Sequence, residues 1–391
     1  MEAAELSALD RLADDRLYVF VAGPGTGESI AMALPGRAGW VVVDGSAVDS
    51  RSIPAELIEH YVGREAYPDT VAAFVLTHPH DDHVKGVPVF LERFPPRSAW
   101  VTAERPEGPH LLQVCEAMIA ELRARPRSEQ DRLRGVRAAY VGLARWEDSA
   151  DHDLGCAVDG ATIDLEGCSV ELRVRAPHPC AELTKILGEL ANGARKRANE
   201  ASVVLEVVFG ETRLVLGGDL PRVLTKKTLH EIERAAPLET GWDRVLEAYP
   251  QLLGHHMLKL AHHGSAAAWH AGLMTPPPRR DRDWVVTPFN SSGLPRAEIM
   301  PSLVGKQTPI HVSHPPSAWS DPGSSRIQAS AIRRRAKVEA TGDPFADAAE
   351  DIRPRPPQEP LDPVWAFAYD DAGRLCGLWR GESALQVVAD S

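Results

Sequence analysis

Within the stretch VLTHPHDDHVKGV, residues 75–87, three histidines and two aspartates fall between positions 78 and 83, directly after an apolar run. His78, His80, Asp82 and His83 form an H-x-H-x-D-H array. Imidazole nitrogen and carboxylate oxygen suit zinc, manganese or iron, and a turn at a strand end lets such side chains converge. The spacing gives His78 and His80 to one ion, Asp82 and His83 to a second. A helix cap would account for one aspartate and for none of the three imidazoles. LVLGGDL ends another apolar strand on Asp219, whose carboxylate can bridge two ions. LKLAHHGS ends a third on the pair His262 and His263. Two divalent ions ~3.5–4 Å apart lower the pKa of water between them and supply hydroxide near neutral pH. They also stabilise charge developing on the electrophile, so no serine or cysteine nucleophile is needed.

These residues need strand ends to hold them, and the chain supplies such ends. RLYVFVAGPGTGESIAMAL and GWVVVDGS read as strands joined by turns, IPAELIEHYVGR (53–64) as a helix and TVAAFVLTH (70–78) as a strand. VPVFLERF (87–94) reads as a helix ended by Pro95-Pro96, SAWVTAE (98–104) as a strand and HLLQVCEAMIAELRAR (110–125) as an amphipathic helix. The middle is strand-rich, with ATIDLEG, SVELRVRAPH, SVVLEVVFG and TRLVLGGDL. PRVLTKKTLHEIERAA (221–236) reads as a helix and HMLKLAHHG (256–264) as a strand stopping on the histidine pair. DWVVTPFN and TPIHVSH are later strands, and VWAFAYDDAGRLCGLWRG is a terminal hairpin turning at DDAG. Strands and helices are mixed in α/β style, without an internal repeat.

H-x-H-x-D-H, the strand-terminal G-D and the later H-H-G-S, in this order, resemble the metallo-β-lactamase fold superfamily. More narrowly they resemble the soluble metallohydrolase domain of the bacterial competence DNA-uptake channel, over roughly residues 16 to 315. FVAGPGTGESIAMAL and WVVVDGS resemble that family's opening strands and its D-x-G turn, here Asp44–Ser46. Glu28 stands where the family usually has an aspartate. NEASVVLEVVFGETRLVLGGDL resembles the stretch where an Asn and a Ser precede the strand leading to the bridging aspartate. WVVTPFNSSGLP resembles a later strand-plus-asparagine segment, without the histidine often found nearby.

The resemblance implies an α/β fold, an αββα sandwich of two mixed sheets flanked by helices with two divalent metal ions, zinc or manganese, at one edge. It implies His78 and His80 on the first ion, Asp82, His83 and His263 on the second, and Asp219 between them. His178, in VRAPHP at a strand end, is the candidate for a third first-site histidine, with His152 and His110 as alternatives. Asp82 or Asp219 would orient the hydroxide, and His262 would donate a proton to the leaving group. Lys259 follows the family's pattern and would bind a phosphate oxygen or remain a solvated strand lysine. Residues 1–323 are expected to form the hydrolase domain. Residues 324–391 are expected as an extension, with a Pro-rich loop at 340–363 and a hairpin packed on the sandwich.

The reaction this implies is phosphodiester hydrolysis, with DNA as a candidate substrate. Fold and metal site do not fix the reaction, so small nucleotides, esters, lactones and β-lactams compete, as does a metal-binding regulatory or bacterial defence component with a partner protein. A net charge of −12 speaks against a long polyanion. RLRGVR (132–137), ARKR (194–197) and RRRAK (333–337) are local basic candidates that also read as solvated runs. No stretch approaches the ~20 apolar residues of a membrane span. The acidic N-terminus and five cysteines without a CxxC pair lead to the expectation of a cytoplasmic protein without disulfides.

Overall fold

The computed structural model describes residues 1–63, 67–104, 134–148, 152–191, 196–224, 229–274, 282–296, 310–315 and 359–387. Strands β1 (Leu17–Ala22), β2 (Ser29–Ala33), β3 (Trp40–Val43), β4 (Val71–Leu76), β5 (Ser98–Thr102) and β6 (Asp153–Ala157) come first. Strands β7 (Val170–Ala176), β8 (Val204–Phe209), β9 (Thr212–Leu216), β10 (Met257–Lys259), β11 (Asp283–Val286) and β12 (Ile310–Val312) follow. The chain closes with β13 (Val364–Tyr369), β14 (Leu375–Arg380) and β15 (Leu385–Val387). The first sheet runs β14-β13-β1-β2-β3-β4-β5-β6, with Ala4–Glu5 added parallel at the β14 edge. The second runs β7-β8-β9-β10-β11-β12-β15, with Thr162–Ile163 at the β7 edge.

Strand alternation sorts the side chains into layers. Leu17, Val19 and Val21 face Leu172, Leu205 and Leu214 in the core between the sheets. Tyr18 and Phe20 point the other way, onto helices α1 (Ile53–Val62), α3 (Val87–Arg93) and α4 (Arg134–Glu147). A short helix α2 (Asp81–Val84) lies between α1 and α3 in the chain. Val215, Leu258 and Trp284 line a third core, with α7 (Trp242–Ala248), on the outer face of the second sheet. Helices α5 (Ala181–Ala191) and α6 (Leu229–Arg234) precede α7. The result is an αββα sandwich of two mixed sheets, as the family resemblance implies.

The parallel pairs fix where chemistry can occur. β3 and β4 run parallel, and so do β9, β10, β11 and β12, so their C-terminal ends share one edge. Asp44, His78, Asp219 and the His262–His263 pair all follow such ends.

Two local expectations change. Of 221–236 only Leu229–Arg234 is helical among the described residues. β10 stops at Lys259, because Leu260–Gly264 leave the sheet in a left-handed turn. The closing strands enter both sheets: β13 pairs with β1, and β15 with β12. The 110–125 helix, the 323/324 boundary and residues 340–358 of the Pro-rich loop lie outside the described residues.

Candidate metal centre

The edge loops are locked before any side chain is considered. The Glu28 amide donates to the Asp82 carbonyl at 2.9 Å, and a Cβ at Gly27 would run into that carbonyl oxygen, so only glycine lets these loops touch. His83, on α2, is carried under the β3 end, where the Gly45 amide donates to its carbonyl at 2.7 Å. His262 (φ 50°) and His263 (φ 52°) are consecutive non-glycine residues in the left-handed region, a conformation that costs free energy. The His262 amide on the Gly218 carbonyl (3.0 Å) and the Ser265 amide on the His262 carbonyl (2.8 Å) hold that turn.

These loops bring His78, His80, Asp82, His83, Asp219 and His263 together. His78 Nε2 lies 3.1 Å from His80 Nδ1 and 3.7 Å from Asp219 Oδ2. His83 Nε2 lies 3.6 Å from Asp82 Oδ2 and 3.6 Å from Asp219 Oδ1. His263 Nε2 lies 2.9 Å from Asp82 Oδ2 and 3.8 Å from Asp219 Oδ2. Asp219 thus stands between two groups of imidazoles. His78, His83, Asp219 and His263 are buried, whereas His80 and His262 are half-buried and form the open rim.

The back of each imidazole is held by oxygen. His83 Nδ1 donates to Asp44 Oδ2 at 2.7 Å, and Thr77 donates to the same carboxylate through its amide (2.8 Å) and hydroxyl (2.7 Å). His263 Nδ1 donates to the Thr287 carbonyl at 2.8 Å. His78 Nδ1 faces the Thr77 hydroxyl at 3.0 Å. Oxygen contacts of this kind fix the tautomer that leaves Nε2 free to ligate a metal. His83 Nε2 and Asp219 Oδ1 are fully buried and make no hydrogen bond.

Charge points the same way. Glu28, Asp44, Asp82 and Asp219 are four buried carboxylates beside one buried ammonium, Lys259, which leaves three negative charges if the imidazoles are neutral. Such a surplus calls for positive charge, from bound cations or from protonated imidazoles. Although burial opposes it, Asp44 and then Asp82 and Asp219 hold His83 well above the ordinary imidazole value, and Asp219 and Asp82 raise His263. Burial, reinforced by His83 and His80, pushes His78 well below it. His263 and His83 hold Asp219 well below the usual carboxylate range, against its burial. The donor set therefore fits divalent ions: His78, His80 and Asp219 would hold one, and Asp219, Asp82, His83 and His263 the other.

Residues 23–158 match the metallo-beta-lactamase superfamily. The match contains Asp44 and the His78–His83 array, and reaches neither Asp219 nor the histidine pair. It supports the superfamily resemblance and does not extend to the narrower competence-channel likeness. No curated protein matches the chain. Similar solved structures include the Rm3 metallo-beta-lactamase, at 13% identity over 64% of this chain and 76% of that one with a TM-score of 0.31. A motif mutant of the Cronobacter sakazakii metallo-beta-lactamase matches at 13% identity over 65% and 87%, with a TM-score of 0.32. A Staphylococcus aureus metallo-beta-lactamase matches at 10% identity over 55% and 47%, with a TM-score of 0.30.

Two expected site residues are placed elsewhere. His178 stays out of both groups: β7 delivers it to the outer face of the second sheet, where its Nδ1 meets Asp159 Oδ2 at 2.6 Å and its ring stacks on Tyr249. Asn199 lies nearer the place sought for a third histidine, with its Nδ2 3.4 Å from Asp219 Oδ2. Lys259 is fully buried and bonds to Glu28 and the Gly218 carbonyl, so it cannot reach a substrate phosphate as expected. Of the alternatives, His152 stacks on Trp146 and His110 lies outside the described residues. The main omission from the sequence reading is Asp44 as the partner of His83. It ends the apolar run WVVVD as Asp219 ends LVLGGD, so the same strand-end rule would have found it.

Proposed function

We propose that the chain is a binuclear metal-dependent hydrolase acting on phosphodiesters. One observation carries the metal part of this reading: His83 Nε2 and Asp219 Oδ1, buried and without hydrogen-bond partners, face each other at 3.6 Å between two groups of ligating side chains. The phosphodiester part rests on the resemblance of the sequence motifs to the competence-channel hydrolase domain. A divalent pair held there supplies Lewis acidity and lowers the pKa of bound water.

The chain's own residues then divide the work. Asp82 or Asp219 would orient the attacking water towards the rim. His80 and His262 border the open side, where substrate enters. His262, half-buried at the rim, would deliver a proton to the leaving-group oxygen. Asp44 and Thr77 keep the His83 ring from turning.

Residues 1–323 form the hydrolase body in this reading, and the strands after 363 complete its sheets. Among the described residues no helix is long and apolar enough to cross a membrane, and we place the protein in the cytoplasm. Of the local basic runs, Arg197 of ARKR is bound to Glu182 and Glu200 and contributes no free charge for DNA.

The test is metal content followed by cleavage assays on a small chromogenic phosphodiester, single-stranded DNA and duplex DNA, with Mn²⁺ or Zn²⁺. Asp219→Ala serves as the control for contaminating nuclease. Metal-dependent cleavage of any of the three, absent in the variant, supports the reading. Two bound ions without cleavage of any of them would turn the substrate towards an ester, lactone or β-lactam.

A further inference from the structure

Behind the cluster lies an ion pair whose carboxylate, Glu28, is close enough to His83, Asp219 and His263 to be counted with them as a metal-holding group, but meets both imidazoles on their Nδ1 side, away from the Nε2 atoms assigned to the ions. Lys259 is 0% exposed and Glu28 2%, and Lys259 Nζ is bonded to Glu28 Oε2. Glu28 Oε2 also accepts from the Thr287 hydroxyl at 2.7 Å and lies 3.4 Å from His263 Nδ1. Its other oxygen, Oε1, lies 3.9 Å from His83 Nδ1. Lys259 Nζ also approaches the Gly218 carbonyl at 3.3 Å, one residue before Asp219. The pair therefore touches the loops that carry Asp82, Asp219 and His263, and its carboxylate faces the two histidines of one ion only.

We propose that Glu28 and Lys259 are a positioning pair that sets the affinity of the second metal position, the one formed by His83 and His263. This rests on the metal-centre reading above. The physical reason is sign. An ammonium buried beside the second position repels a divalent cation, and the Glu28 carboxylate, lying between that ammonium and the two imidazoles, offsets the repulsion. Interactions across such short distances in a dry interior are strong. A buried pair kept only for packing could be exchanged for uncharged groups of similar volume at little cost, and removing either partner would damage the site in the same direction. A charge-setting pair behaves differently, because its two halves act in opposite directions on a cation.

The experiment is calorimetric titration of the metal-stripped full-length protein with Zn²⁺ alone, resolving two binding steps. It uses wild type, Glu28→Gln, Lys259→Met and the double variant E28Q/K259M. Thermal unfolding of each metal-free protein reports folding independently. Glu28→Gln leaves the ammonium unopposed and is expected to weaken the second step at least tenfold, with the first step within about threefold of wild type. Lys259→Met is expected to tighten or preserve the second step even if the metal-free protein melts earlier. The double variant carries no unpaired charge and is expected to return within about threefold of wild type. Equal weakening in Glu28→Gln and the double variant, or no change in Glu28→Gln, overturns the proposal. Wild-type protein that takes up fewer than two ions fails the metal-centre reading itself, and the proposal with it.

Discussion

Two polar networks border the second sheet, one on its outer face and one at the edge where its strand ends meet those of the first, and both use histidines and carboxylates. On its outer face Asp159 accepts from His178 and from the Tyr249 hydroxyl (2.7 Å), the Arg175 guanidinium lies over the Tyr249 ring, and Glu206 accepts from Arg175 (2.7 Å) and Arg213 (2.6 Å). Two carboxylates there meet two guanidinium groups, so the network is closed in charge. At the C-terminal edge four carboxylates meet one ammonium. Histidine and aspartate density alone does not separate the two. Charge balance does, and it explains why His178, a reasonable candidate by sequence, belongs to the closed network.

The contrast can be broken most severely by withdrawing cations. Chelation should destabilise the protein by about 5 kcal/mol relative to protein with two sites each at 100 times Kd. Denaturant melts with and without EDTA measure this, and an unchanged midpoint would refute the surplus-charge account of the edge. Next in size is Glu206→Ala, which strands Arg175 and Arg213 and should cost about 3–5 kcal/mol of stability while both metal equivalents remain. Loss of metal in that variant would mean that the two networks are coupled.

Asp44→Asn keeps the shape of the His83 support and removes its charge, so metal affinity should fall 10- to 100-fold, about 1.4–2.7 kcal/mol. Metal titration of the variant checks it. A pH scan addresses a third kind of polar group, His255, which burial lowers to about 4, whose Nδ1 meets the Leu252 carbonyl and whose Nε2 accepts from the Trp284 indole. The unfolded chain binds this proton near pH 6.5 and the folded chain near 4, so the contribution is complete above 6.5 and is lost as pH falls. Between pH 7.5 and 5.5 it removes about 1.4 kcal/mol. His255→Gln should flatten that part of the stability profile, and an identical slope in the variant would assign the loss to other groups. The smallest change is His178→Asn, with roughly 1 kcal/mol of stability lost and metal content unchanged.

Much of the molecule was legible because period and punctuation agree. VAAFVL and VLEVVF are strands, and α1 and α3 fall where Pro and apolar spacing place them. The histidine array was legible because ligand spacing within one turn is local. What failed was non-local. Nothing in LKLAHHG says that its backbone will leave the sheet at Leu260, since the left-handed turn is held by Gly218, more than forty residues earlier. Nor does a strand lysine announce burial, because Lys259 faces inward only where Glu28 arrives from the far end of the chain. His178 sits at a strand end as the site residues do, and only sheet order tells which strand ends border the cluster.

The C-terminal strands carry a consequence for synthesis. β1, made long before β13, pairs on one side with β2 and on the other with β13, and Trp365 of β13 donates across the sandwich to the Val312 carbonyl at 2.9 Å. Until the ribosome has released β13–β15, β1 and β12 each present a bare edge, the kind of surface on which nascent chains pair wrongly with one another. The metal-bearing edge can be translated in full while the scaffold beneath it is still open on both sheets. Closure of both sheets therefore waits on β13–β15.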